Sequence, residues 1–267
     1  MKTIFIIGFV WSLFISTLQS QEAMGVQKIT KEYFSVDLEV YSDHGPFVKR
    51  IEFNLLFPGE GFNSGSKTEL EMKLFGISNA FVEFFYLPSH AGASGFKIVR
   101  SDSGTSYSLE AKYILNYEEL RKETSEKYPT TGISGPDAVS KDSLRKIKAH
   151  NGAQIRKQSK EMFERYNIES FTFQVSPRFA EELHEKMVSF IDDFKGKGVP
   201  PVIKGGHSVV FRNVVDDEVW SLSIQNPKEH PLKELCMQIL ADVKTDKFDE
   251  SKYMTALNTY TKHIPGN

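Results

Sequence analysis

A single cysteine, Cys236, stands in a chain of 267 residues, so no disulfide can form within the chain and its stability has to come from a packed core. No Asn-x-Ser/Thr sequon occurs, so nothing calls for N-glycosylation in a eukaryotic secretory route. A basic excess is also missing: 33 Lys and Arg face 35 Asp and Glu, for a formal charge of -2, which argues against a general nucleic-acid binder. Neither GxxxxGK[ST] nor GxGxxG is present, so no phosphate cradle is expected. The seven histidines never fall at metal-ligand spacing. His184-Glu185 opens like a zinc-protease motif, but Val188 stands where the second histidine belongs. Asp216-Asp217-Glu218 is contiguous rather than alternating around a glycine, unlike a calcium loop. The expectation is therefore no metal and no cofactor. Cys236 lies on the apolar stripe of a helical pattern, where a thiol is buried and inert.

The one long apolar run is at the start. Lys2 precedes Ile4 to Ile15, and a short polar stretch ends in Ser20. The run is shorter than the roughly 20 apolar residues of a membrane span and has the three-part layout of an export signal. Residues 1–20 are thus expected to be a signal peptide, and 21–267 an exported chain, periplasmic or at the cell surface or secreted, with no transmembrane segment. The missing disulfides and sequons point to a bacterial envelope.

Along the rest of the chain, Phe34, Val36, Leu38 and Val40, then Ile51, Phe53, Leu55 and Phe57, alternate with polar residues around Asp43-His44-Gly45-Pro46, which predicts a β-hairpin over 33–57. Leu70, Met72 and Leu74 read as a further strand. Ala80–Leu87, apolar on nearly both faces, reads as a central strand, and 96–100 and 107–114 complete a meander. From Asn116, with Glu119 as a capping-box partner, the composition turns helical, and 117–168 reads as a helical insertion with helices over 117–127 and 141–166, the second broken near Asn151-Gly152. Phe171, Phe173 and Val175 make a strand. Ser176-Pro177 then starts a helix with Phe179, Leu183, Met187, Phe190, Ile191 and Phe194 on one face, ended by Gly196 and Gly198. Strands follow at 201–204, 208–215 and 219–224, and helices at 231–243 and 250–262. The whole reads as a single α+β domain, a mainly antiparallel sheet with helices packed on one side.

Two strings bear on function. In IKGGHS, Gly205-Gly206 reads as the tight turn of a hairpin between 201–204 and 208–215. The enzymatic alternative makes Ser208 a nucleophile, His207 its base and Asp217 the orienting acid. Adjacent strand residues such as His207 and Ser208 face opposite ways, and the strained strand-to-helix elbow of hydrolases is missing. The second string lies between Ser140 and Tyr166, with eight basic and three acidic side chains. Lys141, Arg145, Lys148, Arg156 and Lys160 fall near one helical face, suited to an anionic glycan or lipid head group. The aromatics Phe81, Phe84, Phe85, Tyr86, Phe96, Tyr107 and Tyr113 fit either a pocket lining or a core.

The stretches VEFFYLPSHAGASGFKIVR, MVSFIDDFKGKGVPP, VVFRNVVDDEVWSLSI and LKELCMQIL resemble a group of exported proteins of Gram-negative bacteria whose members carry no assigned function. The resemblance spans most of 80–260 and implies an envelope location. It transfers no role to any residue. The functional expectation is a non-enzymatic binding or interaction protein of the bacterial envelope, its partner an anionic glycan, a lipid head group or an envelope protein. The alternative is a hydrolase acting on an envelope or dietary polymer.

Overall fold

Alternation of apolar and polar side chains organises the described residues into one eight-stranded sheet. The computed structural model describes residues 29–42, 45–54, 67–76, 80–101, 103–132, 140–194, 206–227 and 230–259. The strands are β1 (Ile29–Ser42), β2 (Gly45–Asn54), β3 (Val82–Leu87), β4 (Ser94–Arg100), β5 (Tyr107–Ile114), β6 (Ile168–Val175), β7 (Ser208–Val215) and β8 (Glu218–Gln225). The helices are α1 (Glu69–Phe75), α2 (Tyr117–Lys127), α3 (Lys141–Arg165), α4 (Pro177–Asp192), α5 (Pro231–Lys244) and α6 (Glu250–Thr259). Strand order is β2-β1-β8-β7-β3-β4-β5-β6. Every neighbouring pair is antiparallel except β1 with β8, which run parallel. This is an α+β fold with β3 at its centre, as its two-sided apolarity predicts. The export signal expected over 1–20, the strand expected at 201–204 and Gly196 and Gly198 lie outside the described residues.

The core sits between one face of the sheet and the three C-terminal helices. Ser176 caps α4 by accepting from the Phe179 amide at 3.2 Å, and Pro177 fills the first turn, where a missing N–H costs nothing. The helix then buries Phe179, Ala180, Leu183, Met187 and Ile191. Helix α5 adds Leu232, Cys236, Ile239, Leu240 and Val243, and α6 adds Tyr253 and Leu257. Against them stand Phe84, Phe96, Leu109, Phe211 and Leu222, none of them reached by solvent. Phe84, Phe96, Tyr107 and Tyr113 are thus core, not pocket lining. Tyr113 satisfies its hydroxyl on the Leu240 carbonyl at 2.7 Å.

The opposite face differs from expectation at one element. Residues 70–74 are not a strand but lie in α1, which packs on this second face through Leu74 and Phe75 against Phe85 and Val210. Thr68 accepts from the Glu71 amide at 3.2 Å while Glu71 accepts from the Thr68 amide at 2.8 Å, the reciprocal capping box that starts a helix. Gly95 lets the helix approach: a Cβ there would sit 2.9 Å from the Phe75 ring.

Between the neighbouring strands β5 and β6 the chain makes α2 and α3, which lie side by side. Glu161 of α3 accepts from Lys127 at 2.7 Å, Tyr128 at 2.8 Å and Arg165 at 3.0 Å. Those bonds, Lys127 and Tyr128 foremost, hold its carboxyl down to about 2. Asn116 makes no capping bond to α2; its amide instead donates to the Arg165 carbonyl at 3.0 Å and accepts from the Asn167 amide at 2.8 Å, tying both ends of the excursion together. Helix α3 runs unbroken through Asn151-Gly152, because Asn151 turns outward to pair with the Thr131 backbone at 2.9 Å in both directions.

Candidate functional site

Where α1 and α3 face each other they leave a groove of about 870 Å³. Its apolar lining is Leu70 from α1, Tyr117 from α2, and Ile155, Met162 and Phe163 from α3, with Tyr166 just beyond. Tyr117 and Tyr166 stack at 6.4 Å, and Phe163 meets Tyr166 edge-on at 6.5 Å. Ile155 is 51 % exposed, so a large aliphatic side chain stands in water at the mouth. Arg156 and Lys160 line the same groove. Among the described residues Arg156 has no carboxylate partner, and Lys160 reaches only Glu164, at 4.0 Å. An apolar trough with a few charged groups at its rim is the usual composition of a small-ligand site.

The wall contributed by α1 is held from beneath by charges that sequence reading did not single out. Arg212 of β7 pairs with Glu83 of β3, its direct cross-strand neighbour, and with Glu71 of α1 at 2.9 Å. Lys67 reaches Glu83 at 2.6 Å. All four side chains are at most 6 % exposed. Burial by itself pushes the Glu71 carboxyl up, but the Arg212 guanidinium and the Thr68 amide outweigh it and hold it below the usual carboxylate range. Burial pulls the Lys67 ammonium down against the opposing pull of Glu83. Further along, Lys112 donates to the Leu74 carbonyl at 2.6 Å, satisfying the C-terminal end of α1. Two signals for this network are present in the sequence: single opposite charges inside otherwise apolar strands, Glu83 and Arg212, and the Thr68-x-x-Glu71 box.

A second buried cluster joins the first hairpin to the start of α5. Asp37 accepts from Arg50 at 2.8 Å and lies 2.9 Å from His230, which also meets Arg50 at 2.8 Å. Asp37 and His230 are each 2 % exposed, and the cluster ties β1 and β2 to the start of α5.

The proposed hydrolytic residues are not brought together. His207 and Ser208 lie at one end of β7, where Ser208 pairs with Leu87 and Gln225. Asp217 lies beyond the other end, separated by the eight residues of the strand, about 25 Å at the rise of an extended chain. The fold therefore corrects this triad: Asp217 cannot orient His207. Asp217 instead forms the β7–β8 turn with Asp216, at φ 64° and 48°, the left-handed pair that a two-residue hairpin needs. Gly206 has φ +92°, and a Cβ on it would lie 2.0 Å from the Asn226 side chain; His207 is tied to Asn226 by a 2.8 Å backbone bond. Gly206, His207 and Ser208 thus lie at the open end of the β7–β8 ladder, while Gly205, the other half of the expected turn, lies outside the described residues.

All five basic residues, Lys141, Arg145, Lys148, Arg156 and Lys160, are exposed on α3. Cys236 is fully buried, and burial pushes its thiol well above the usual range. His184 stacks on Phe81 at 3.9 Å and donates to the Val214 carbonyl at 2.8 Å, and burial lowers its pKa. Among the described residues no group of three His, Cys, Asp or Glu is placed to hold a metal ion, and no helix is long and apolar enough to cross a membrane. Comparison with protein-family models, curated proteins and solved structures found no match.

Proposed function

We propose that this chain is an exported, non-enzymatic binding protein of the bacterial envelope that holds an anionic amphiphile in the α1–α3 groove. The observation that supports the reading is the side-by-side placement of exposed Ile155 and of Arg156, which has no carboxylate partner among the described residues, at the mouth of an aromatic-lined trough. An apolar tail would cover Ile155, Phe163 and Tyr166, and the anionic head would meet Arg156 and Lys160. Removing such surface from water contributes roughly 25 cal/mol per Å², and a carboxylate or phosphate suits the fork of the guanidinium.

Dodecyl phosphate is the simplest probe. At 100 times its dissociation constant a ligand adds about 2.7 kcal/mol of stability, which thermal unfolding of the exported protein resolves. The expected result is an upward shift with dodecyl phosphate, a smaller one with dodecyl maltoside, and none with dodecyl phosphate on Ile155→Asp or Arg156→Glu. Both positions are exposed, so the unliganded variants should melt like the native chain. Equal shifts for all three proteins would defeat the assignment of the groove.

A further inference from the structure

The face of α3 that meets the groove continues beyond it. Successive residues of a helix are 100° apart, which places Lys141, Arg145, Lys148, Gly152, Arg156, Ser159 and Phe163 in one row. Phe163, Ser159 and Arg156 line the groove; Lys148, Arg145 and Lys141 lead away from it towards the N-terminus of the helix. From Lys141 to Arg156 the row is about 22 Å long at 1.5 Å per residue. Gly152 leaves the middle of the row without a side chain, and the Arg156 guanidinium lies over it, 3.5 Å from where a Cβ would be. Its charge is thereby carried back along the row towards Lys148.

Helix stability does not account for these charges. The N-terminal end of a helix dipole is positive and favours acids, yet Lys141, Arg145, Lys146 and Lys148 fall in the first eight residues of α3, with Asp142 as the only acid among them. Like charges three or four residues apart repel. Among the described residues none of Lys141, Arg145, Lys148 and Arg156 is in an ion pair, although Arg165, at the far end of the same helix, is held by two carboxylates. A row of cations that opposes the dipole of its own helix and, among the described residues, pairs with no carboxylate is suited to an anion supplied from outside.

We infer that the ligand is an anionic glycolipid: its apolar part occupies the groove, and a head group of several acidic sugars runs along α3 over Arg156, Lys148, Arg145 and Lys141. This rests on the groove reading for the position of the apolar part, whereas the track for the acidic chain stands on the row itself.

The experiment uses two probes on the exported protein, each carrying one half of the ligand. Dodecyl phosphate tests the groove; galacturonate oligomers (dimer, tetramer, octamer) test the track. Expected is an oligomer affinity that rises with length and falls with added salt. On Arg145→Glu/Lys148→Glu the octamer should bind at least roughly 25-fold less tightly, at about a factor of five per cation lost, with dodecyl phosphate unaffected. The double variant should melt no lower than the native chain, because acids near the N-terminus favour the helix. Octamer binding that is undetectable, independent of length or unchanged by the double variant would overturn the track even if dodecyl phosphate binds. Length-dependent octamer binding without dodecyl phosphate binding would keep the track and reject the groove.

Discussion

The two faces of the sheet are built from the same strands, one residue out of step, and they do different physical work. On one face Phe84, Phe96 and Phe211 pack under α4 and α5 with no solvent contact. On the other, Arg212, Glu83, Lys97 and Glu110 follow one another across β7, β3, β4 and β5. Apolar burial is non-directional and fixes only that the helices lie on the sheet. Ion pairs are directional, and here Arg212 ties Glu71 of α1 to the sheet beneath the groove that α1 walls. One face holds its helices through hydrocarbon; the other holds α1 with an ion pair beside the apolar contacts of Leu74 and Phe75.

The largest effect should come from removing the cation at the middle of the charged face. Arg212→Met leaves Glu71 and Glu83 buried beside a thioether, and breaking a buried pair in this way costs about 3–5 kcal/mol. Urea unfolding would show it as a lowered midpoint. Adding Glu71→Leu should return much of that loss, since Glu83 keeps Lys67 at 2.6 Å and a well-packed apolar pair often equals a buried ion pair. The recovered protein should nevertheless bind dodecyl phosphate less well, because α1 has lost its directional tie. Full stability with unchanged affinity would mean that the charged face does not set the groove.

The opposite face gives the matching control. Leu183→Ala, at 0 % exposure on α4, should cost about 2–5 kcal/mol through lost transfer energy and a cavity. Its dodecyl phosphate affinity, measured well below the melting temperature, should be native. If affinity falls in step with stability in this variant, the two faces are not separable.

The same contrast explains what could be read in the sequence. Helices α4 and α5 were legible because their stripes are complete and their starts are punctuated by Ser176-Pro177 and Pro231. The meander was legible because β3, β4 and β5 follow one another in the chain. Helix α1 was missed because three alternating residues, Leu70, Met72 and Leu74, fit a strand as well as a helix; the box at Thr68 and Glu71 was the deciding signal. The parallel pairing of β1 with β8 joins segments nearly 190 residues apart, as the bond from Thr30 to Glu218 shows, and no local pattern encodes it. Arg212 and Glu83 pass individually for solvated strand positions, and their burial is visible only once β7 lies beside β3. The basic row of α3 was legible by spacing, but the trough it leads into was not, since α1 supplies one wall.

The smallest expected effect separates the faces by pH. Glu71 has a carboxyl held below its ordinary value in the folded state, so the unfolded chain binds that proton more readily. The contribution of Glu71 to stability is therefore complete above the unfolded glutamate pKa, about 4.3, and is lost as pH falls through the lower folded value. Other carboxylates, Glu110 and Asp242 among them, are shifted the same way, so the native curve alone does not isolate Glu71. The difference does: urea midpoints followed from pH 7 to pH 3 should converge for native protein and Glu71→Gln as Glu71 protonates, whereas Leu183→Ala should stay parallel to native throughout. Parallel curves for both variants would mean that Arg212 is satisfied by Glu83 without Glu71, and that the Glu71 carboxylate does not hold α1 on the sheet.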